Sequence, residues 1–208
     1  FEGGALVQRV PFQAGLAHGM AERYERGTLI QRAEYKAGAL DGVVENFAPD
    51  GTPLISIPHQ AGVPHGRATV YEKGQPQALI DYKAGQVDGE LVTISPFGKP
   101  MARLPHVAGK KHGIARYYDL DGNPVREESW VEGKLEGETR EFLPDGTLIK
   151  EQPFHADKLD GDVVEYNHKA KETFRQSFRE GEPLGPKTEK TTFGRREVGR
   201  KDDEDKQG

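Results

Sequence analysis

The sequence predicts an all-β protein: an elongated, single-layer antiparallel β-meander built from tandem hairpin repeats of 23–24 residues. Gly15, Gly38, Gly62, Gly85, Gly109 and Gly133 recur at that interval, which continues through Asp157 to Gly181. A second series, Gly19, Gly42, Gly66, Gly89, Gly113, Gly137 and Gly161, follows four residues behind. The stretches between turn residues are strand-length, roughly six to eight residues, and carry no sustained 3.6-residue apolar period. A unit this small buries its apolar groups only against its neighbours, so the copies must stack.

In each copy the segment after the second glycine is the first strand, ending on Tyr24, Phe47, Tyr71, Ile94, Tyr118, Phe142 or Tyr166. A turn follows, closed by Gly27, Gly51, Gly74, Gly98, Gly122 or Gly146, with Ala170 in the last copy. Asp50-Gly51, Asp121-Gly122 and Asp145-Gly146 are hairpin signals, because Gly accepts positive φ and Asp bonds its own backbone in a turn. Eight residues after the turn glycine stands a late ring: Tyr35, His59, Tyr82, His106, Trp130, Phe154 and Phe178, with Phe12 in the same register after Gly4. Two strands per copy give about 15 strands, and at about 4.8 Å between strands the body is on the order of 70 Å long.

Alternation along the strands is imperfect. Val10 with Phe12, Ile80 with Tyr82 and Leu104 with His106 share a parity and define one face, whereas Val7, Leu54, Met101, Val125 and Ile149 have the other. Either bulges shift the register or both faces carry apolar surface. A longer period of 47 or 48 residues underlies the short one. The fourth position of the copy reads His18, Asp41, His65, Asp88, His112, Glu136 and Asp160, and the residue before the late ring is proline in alternate copies: Pro11, Pro58, Pro105 and Pro153. Lacking an N–H, these prolines are expected at strand ends or bulges, closing every second hairpin.

The array spans residues 1–185 and a charged tail spans residues 186–208, too poor in apolar groups to order itself, although Thr188 to Phe193 is suited to a capping strand. With 34% hydrophobic and 30% charged residues the chain suits a thin sheet better than a thick core. It has no apolar run of about 18 residues to span a membrane as a helix. The first residue is Phe1, so a processed chain in the periplasm or another envelope compartment is expected, with the cytoplasm as the alternative.

Repetition argues against chemistry. His18, His65 and His112 fall once per four strands, roughly 19 Å apart, too far for one metal, and are expected in turns and packing. There is no cysteine, no nucleophile elbow and no phosphate loop, and the neighbouring carboxylates Glu127-Glu128 and Asp202-Asp203 are expected in solvent. Neither cofactor nor metal is expected, and the chain is expected to be non-enzymatic. A net charge of -5 without a basic stripe disfavours nucleic acid, and membrane binding equally. The rings pair across strands over glycine-thinned backbone, and those left open to solvent would form a partner site. The expected partner-binding residues are His106, Tyr117, Tyr118, Trp130 and Tyr82, in the copies that deviate most from the repeat.

Ala-Gly-x-x-His-Gly, at Ala14 to Gly19 and Ala108 to Gly113, with a ring two residues upstream of the alanine, resembles the core of the MORN repeat. Met20-Ala21, Arg67-Ala68 and Ile114-Ala115 replace the glycine of the standard His-Gly-x-Gly, so the chain is more similar to the variant repeats of the bacterial YwqK-like antitoxin family. The resemblance covers Gly3 to about Gly185. It implies an elongated antiparallel sheet, no catalytic residues, and an antitoxin or immunity role against a partner toxin, including secreted effectors such as lipases. The scaffold branch of the repeat family implies the alternative, a structural protein at a membrane or envelope.

Overall fold

The computed structural model describes residues 6–191 and 194–198. Among them there is no helix. The described parts of two compact units, residues 1–110 and 111–208, are each built on an antiparallel meander, and in the first Phe12–Gln13 and Leu16–Ala17 pair as a separate two-stranded ladder. In the first, Gln8–Arg9 pairs with Gly19–Glu25, followed in ladder order by Thr28–Lys36, Ala39–Phe47, Pro53–Gln60, Gly66–Glu72, Gln75–Lys83, Gln86–Ile94 and Pro100–Val107. The second runs Gly113–Tyr118, Pro124–Val131, Lys134–Phe142, Leu148–His155, Gly161–Tyr166 and Glu172–Arg179. Its ladder continues past residue 185, into the stretch read as a charged tail, through Glu182–Thr191 and Gly194–Val198. Gly4, Phe193, Asp202, Asp203 and the rest of residues 199–208 lie outside the described residues.

The first glycine series makes the turns that tie copy to copy. Ala61 and Gly62 have φ of 48° and 90°, the mirror-image turn whose twist matches that of the strands it joins. The Gly62 N–H then donates to the Leu40 carbonyl of the preceding copy at 2.8 Å, as Gly38 does to Ala17 and Gly85 to Pro64. In the second unit Gly133 donates to Lys111 at 2.9 Å and Gly181 to Leu159 at 2.8 Å, while Asp157 makes the same bond to Leu135 at 3.1 Å. That bond recurs once per copy, which accounts for the regular interval. The Asp-Gly turns are longer. At Asp50-Gly51 the Ala48 N–H donates to the Thr52 carbonyl, and the Asp50 carboxylate accepts from the Thr52 N–H at 2.9 Å and hydroxyl at 2.6 Å.

The second glycine series faces the late rings across the strands: Gly19 opposite Tyr35, Gly42 opposite His59, Gly66 opposite Tyr82, Gly89 opposite His106 and, in the second unit, Gly113 opposite Trp130, Gly137 opposite Phe154 and Gly161 opposite Phe178. Gly42 shows why no side chain fits. Its φ is +136°, and a Cβ there would lie 2.7 Å from the Cβ of Glu34, the residue before the preceding ring.

Pro11 lies between the strands Gln8–Arg9 and Phe12–Gln13, as expected, but the other three prolines behave differently. Pro58, Pro105 and Pro153 lie inside the strands Pro53–Gln60, Pro100–Val107 and Leu148–His155 and do not end them. They interrupt the next strand instead. The carbonyls of Pro58 and Pro153 accept from His65 and Asp160 at 2.9 and 3.0 Å, but with no proline N–H to return the bond the next strand splits, into Val63–Pro64 and Gly66–Glu72, and into Lys158–Leu159 and Gly161–Tyr166. Where Glu34, Asp81 or Ser129 takes the place of proline, the next strand is an unbroken nine residues: Ala39–Phe47, Gln86–Ile94 and Lys134–Phe142.

Both explanations of the imperfect alternation hold. Register shifts occur at the early rings, as at Asn46/Phe47, Thr93/Ile94 and Tyr117/Tyr118, and again beside Glu34, Asp81 and Ser129. The face that carries the late rings also holds the first unit's apolar rows, Ala21-Ala33-Val44-Ile57 and Ala68-Ile80-Leu91-Leu104. The opposite face carries the ion pairs Arg32–Glu45 and Arg67–Asp81 and also the apolar pair Leu79 and Val92. Small buried side chains such as Ala68 and Ala115 let their larger neighbours close over them, so each sheet's core sits in its own surface.

Candidate functional site

In the second unit the ring-bearing face changes character. The row that is apolar in the first unit reads Ala115-Glu128-Thr139-Gln152, and Gln176 stands opposite Val163. These polar side chains are not solvated: Glu128 is 8% exposed, Thr139 1% and Gln176 4%. The expectation that Glu127 and Glu128 both lie in solvent therefore fails for Glu128. Neighbours on a strand point to opposite faces, so Glu127 pairs with Arg116 at 2.8 Å on one face while Glu128 turns onto the other.

Glu128 gathers three donors. Tyr117 Oη–H donates to its Oε2 at 2.8 Å, Trp130 Nε1–H to the same oxygen at 3.1 Å, and Arg126 Nε–H to Oε1 at 2.9 Å. Arg126 also reaches Glu141 at 2.9 Å. Burial first, then the hydrogen bond to Glu128 and its charge, push the Tyr117 hydroxyl up to about 12. The carboxylate thus sets the orientation of two rings at once. Beside it the Thr139 hydroxyl is buried with no hydrogen-bond partner.

The expected site residues divide between the two units. Tyr117, Tyr118 and Trp130 lie in the second, where Glu128 joins Tyr117 to Trp130, and Tyr118 sits at the bulge opposite Pro124. The half-buried Trp130 has Lys111 Nζ 4.1 Å from its ring centroid. Tyr82 and His106 lie in the first unit. His106 faces Gly89 and donates from Nδ1 to the Leu104 carbonyl at 2.7 Å. Tyr82 lies between Gly66 and Val87. Sequence reasoning missed Glu128 and Lys111. Glu128 stands two residues before the late ring, a position held by Val10, Ala33, Ile57, Ile80 and Leu104 in earlier copies, and that substitution was the available signal.

The fourth-position residues serve the turns. Asp41 and Asp88 accept from the N–H of Ala61 and Ala108 at 3.3 and 3.1 Å, and His18 and His65 accept through Nδ1 from Ala37 and Ala84 at 3.4 and 3.5 Å. Glu136 accepts from Ala156 at 2.9 Å and from His155 at 2.8 Å. Those bonds hold the Glu136 carboxyl below its usual range, and the carboxylate raises His155.

Charge is also unevenly divided. Residues 111–185 hold 17 Asp and Glu against 11 Lys and Arg, a net charge of -6, whereas residues 6–110 hold 10 against 11, a net charge of +1.

The MORN repeat variant matches residues 111–132 and 135–156, the two copies that hold Glu128, Trp130 and Thr139. No curated protein matches the chain. The chain therefore carries MORN-variant repeats, a class of protein- and membrane-binding repeat, within an all-β array.

Proposed function

We propose that the protein is a non-enzymatic antitoxin or immunity protein that neutralises a cognate bacterial toxin, such as a secreted antibacterial lipase, by binding it on the repeat sheet. The observation that carries the proposal is the polar conversion of the second unit's buried row. Burying a carboxylate, a hydroxyl and an amide where Ile and Leu serve the first unit costs stability. Departures of that kind belong where a surface is used for something besides folding. Glu128 holds Tyr117 and Trp130 in fixed poses, and rigid aromatic anchors bind partners with little loss of side-chain entropy. Tyr118 in this unit, and Tyr82 and His106 within the first unit, are proposed as further contact residues. The periplasm or another envelope compartment is the proposed place of action.

The test is co-expression with a candidate toxin encoded by a neighbouring gene. The protein should co-purify with the toxin and restore growth. A toxin that kills equally well with and without it would defeat the proposal.

A further inference from the structure

We propose that the Trp130 ring, backed by Glu128, is a receptor for a basic side chain, arginine or lysine, presented by the partner protein, and that Lys111 occupies it in the free chain. This inference rests on the partner-binding reading of the second unit and adds the chemistry of what is bound.

The seated cation comes first. Lys111 Nζ lies 4.1 Å from the Trp130 centroid, well inside the distance of about 6 Å at which a cation is drawn to the ring's negative face. Tryptophan is the strongest of the aromatic side chains in this respect. The ring is also tuned and fixed. Its N–H donates to Glu128 at 3.1 Å, and an anion on that edge pushes electron density into the π system and deepens its pull on a cation. Glu128 cannot swing away, because it is buried and also accepts from Tyr117 and Arg126. Opposite Trp130 across the strand is Gly113, which places no side chain beside the indole.

Charge selects the occupant. The net charge of -6 over residues 111–185 draws basic segments toward this unit and repels phosphate backbones and anionic lipid. An arginine would displace Lys111 readily, because a guanidinium is less strongly hydrated than an ammonium and stacks flat on an indole. Lys111 keeps the ring shielded until such a side chain arrives.

Trp130 is the only tryptophan, so its fluorescence reports the site directly in the full chain. The probe is an acetylated hexa-arginine peptide at physiological salt, with a hexa-glutamate peptide as control. Hexa-arginine should shift or quench the emission with saturation, and hexa-glutamate should leave it unchanged. Lys111→Met removes the internal competitor and should tighten hexa-arginine binding about three- to tenfold, and Trp130→Phe, followed by calorimetry, should weaken it by a similar factor. If the ring variant fails to fold, Lys111→Met decides the matter when set against the substitution of a lysine away from the ring.

Lys169→Met, which removes the same charge at an exposed turn away from the ring, is the control, and a gain from Lys111→Met no larger than its own would reduce the binding to general charge attraction and overturn the inference. An unchanged Trp130 emission would do the same. A toxin affinity unchanged by Trp130→Phe would overturn this inference and leave the antitoxin proposal standing. Failure of the unsubstituted protein to neutralise the toxin would instead remove the antitoxin proposal, whatever the peptide shows.

Discussion

Glu128 is the residue on which the second unit's face depends. Truncating it would leave a tyrosine hydroxyl, an indole N–H and a guanidinium without their shared acceptor. Glu128→Ala should therefore lower the unfolding free energy by about 2–4 kcal/mol, read as a fall in urea midpoint at constant slope. Thr139→Val should do the reverse. It keeps the shape and deletes a buried hydroxyl that bonds to nothing, so a gain of about 1 kcal/mol is expected. Tyr117 adds a pH dependence of definite sign. Its folded pKa is raised from 10.0 to about 12, so its contribution is complete below pH 10.0 and is lost as pH climbs toward 12. A phenolate absorbance titration should find one tyrosine ionising near that value. Glu128→Gln should bring it only part of the way back, because burial, the larger cause, remains.

At the scale of the hairpin, two kinds of glycine do different jobs, and substitution separates them. Gly51 closes a turn with φ of +84°, and a methyl group added there would meet nothing within 4 Å, so Gly51→Ala faces backbone strain alone, about 1–2 kcal/mol. Gly42 adds a collision to its strain, since the new methyl would meet Glu34, and Gly42→Ala should cost about 3 kcal/mol or more. Thermal melts of the two variants test the order. Equal shifts would show that the Glu34 bulge yields freely. The same bulge position explains the alternation of broken and unbroken strands: a residue with an N–H allows nine residues in the next strand, and a proline splits it.

Across the whole chain the two units use the same repeat plan for different ends. The first has apolar rows and is close to neutral, while residues 111–185 bury polar groups and carry a net charge of -6. Partner association should therefore depend on salt through its on-rate. Raising ionic strength from low to physiological values should slow association by roughly tenfold and change dissociation little. Trp130→Ala should cost about 2 kcal/mol or more of partner affinity, and Tyr82→Ala well under 1 kcal/mol. Surface-immobilised protein and purified toxin supply both measurements, and a larger loss from Tyr82→Ala would move the binding surface to the first unit.

The sequence by itself determined the repeat length and the hairpin plan, because a tight turn constrains φ locally and a strand alternates its side chains with a period of two, whereas the register decided that each late ring faces a glycine and not another ring. Trp130 and Tyr117 were legible as departures from the repeat. The tertiary structure alone decided that Glu128 is buried between them, that Lys111 lies on the indole, and that proline breaks the strand after its own. Whether a carboxylate faces water or three donors depends on which side chains close over it from neighbouring strands. Those neighbours come from register, and register here is shifted by bulges whose positions emerge only when the strands are paired.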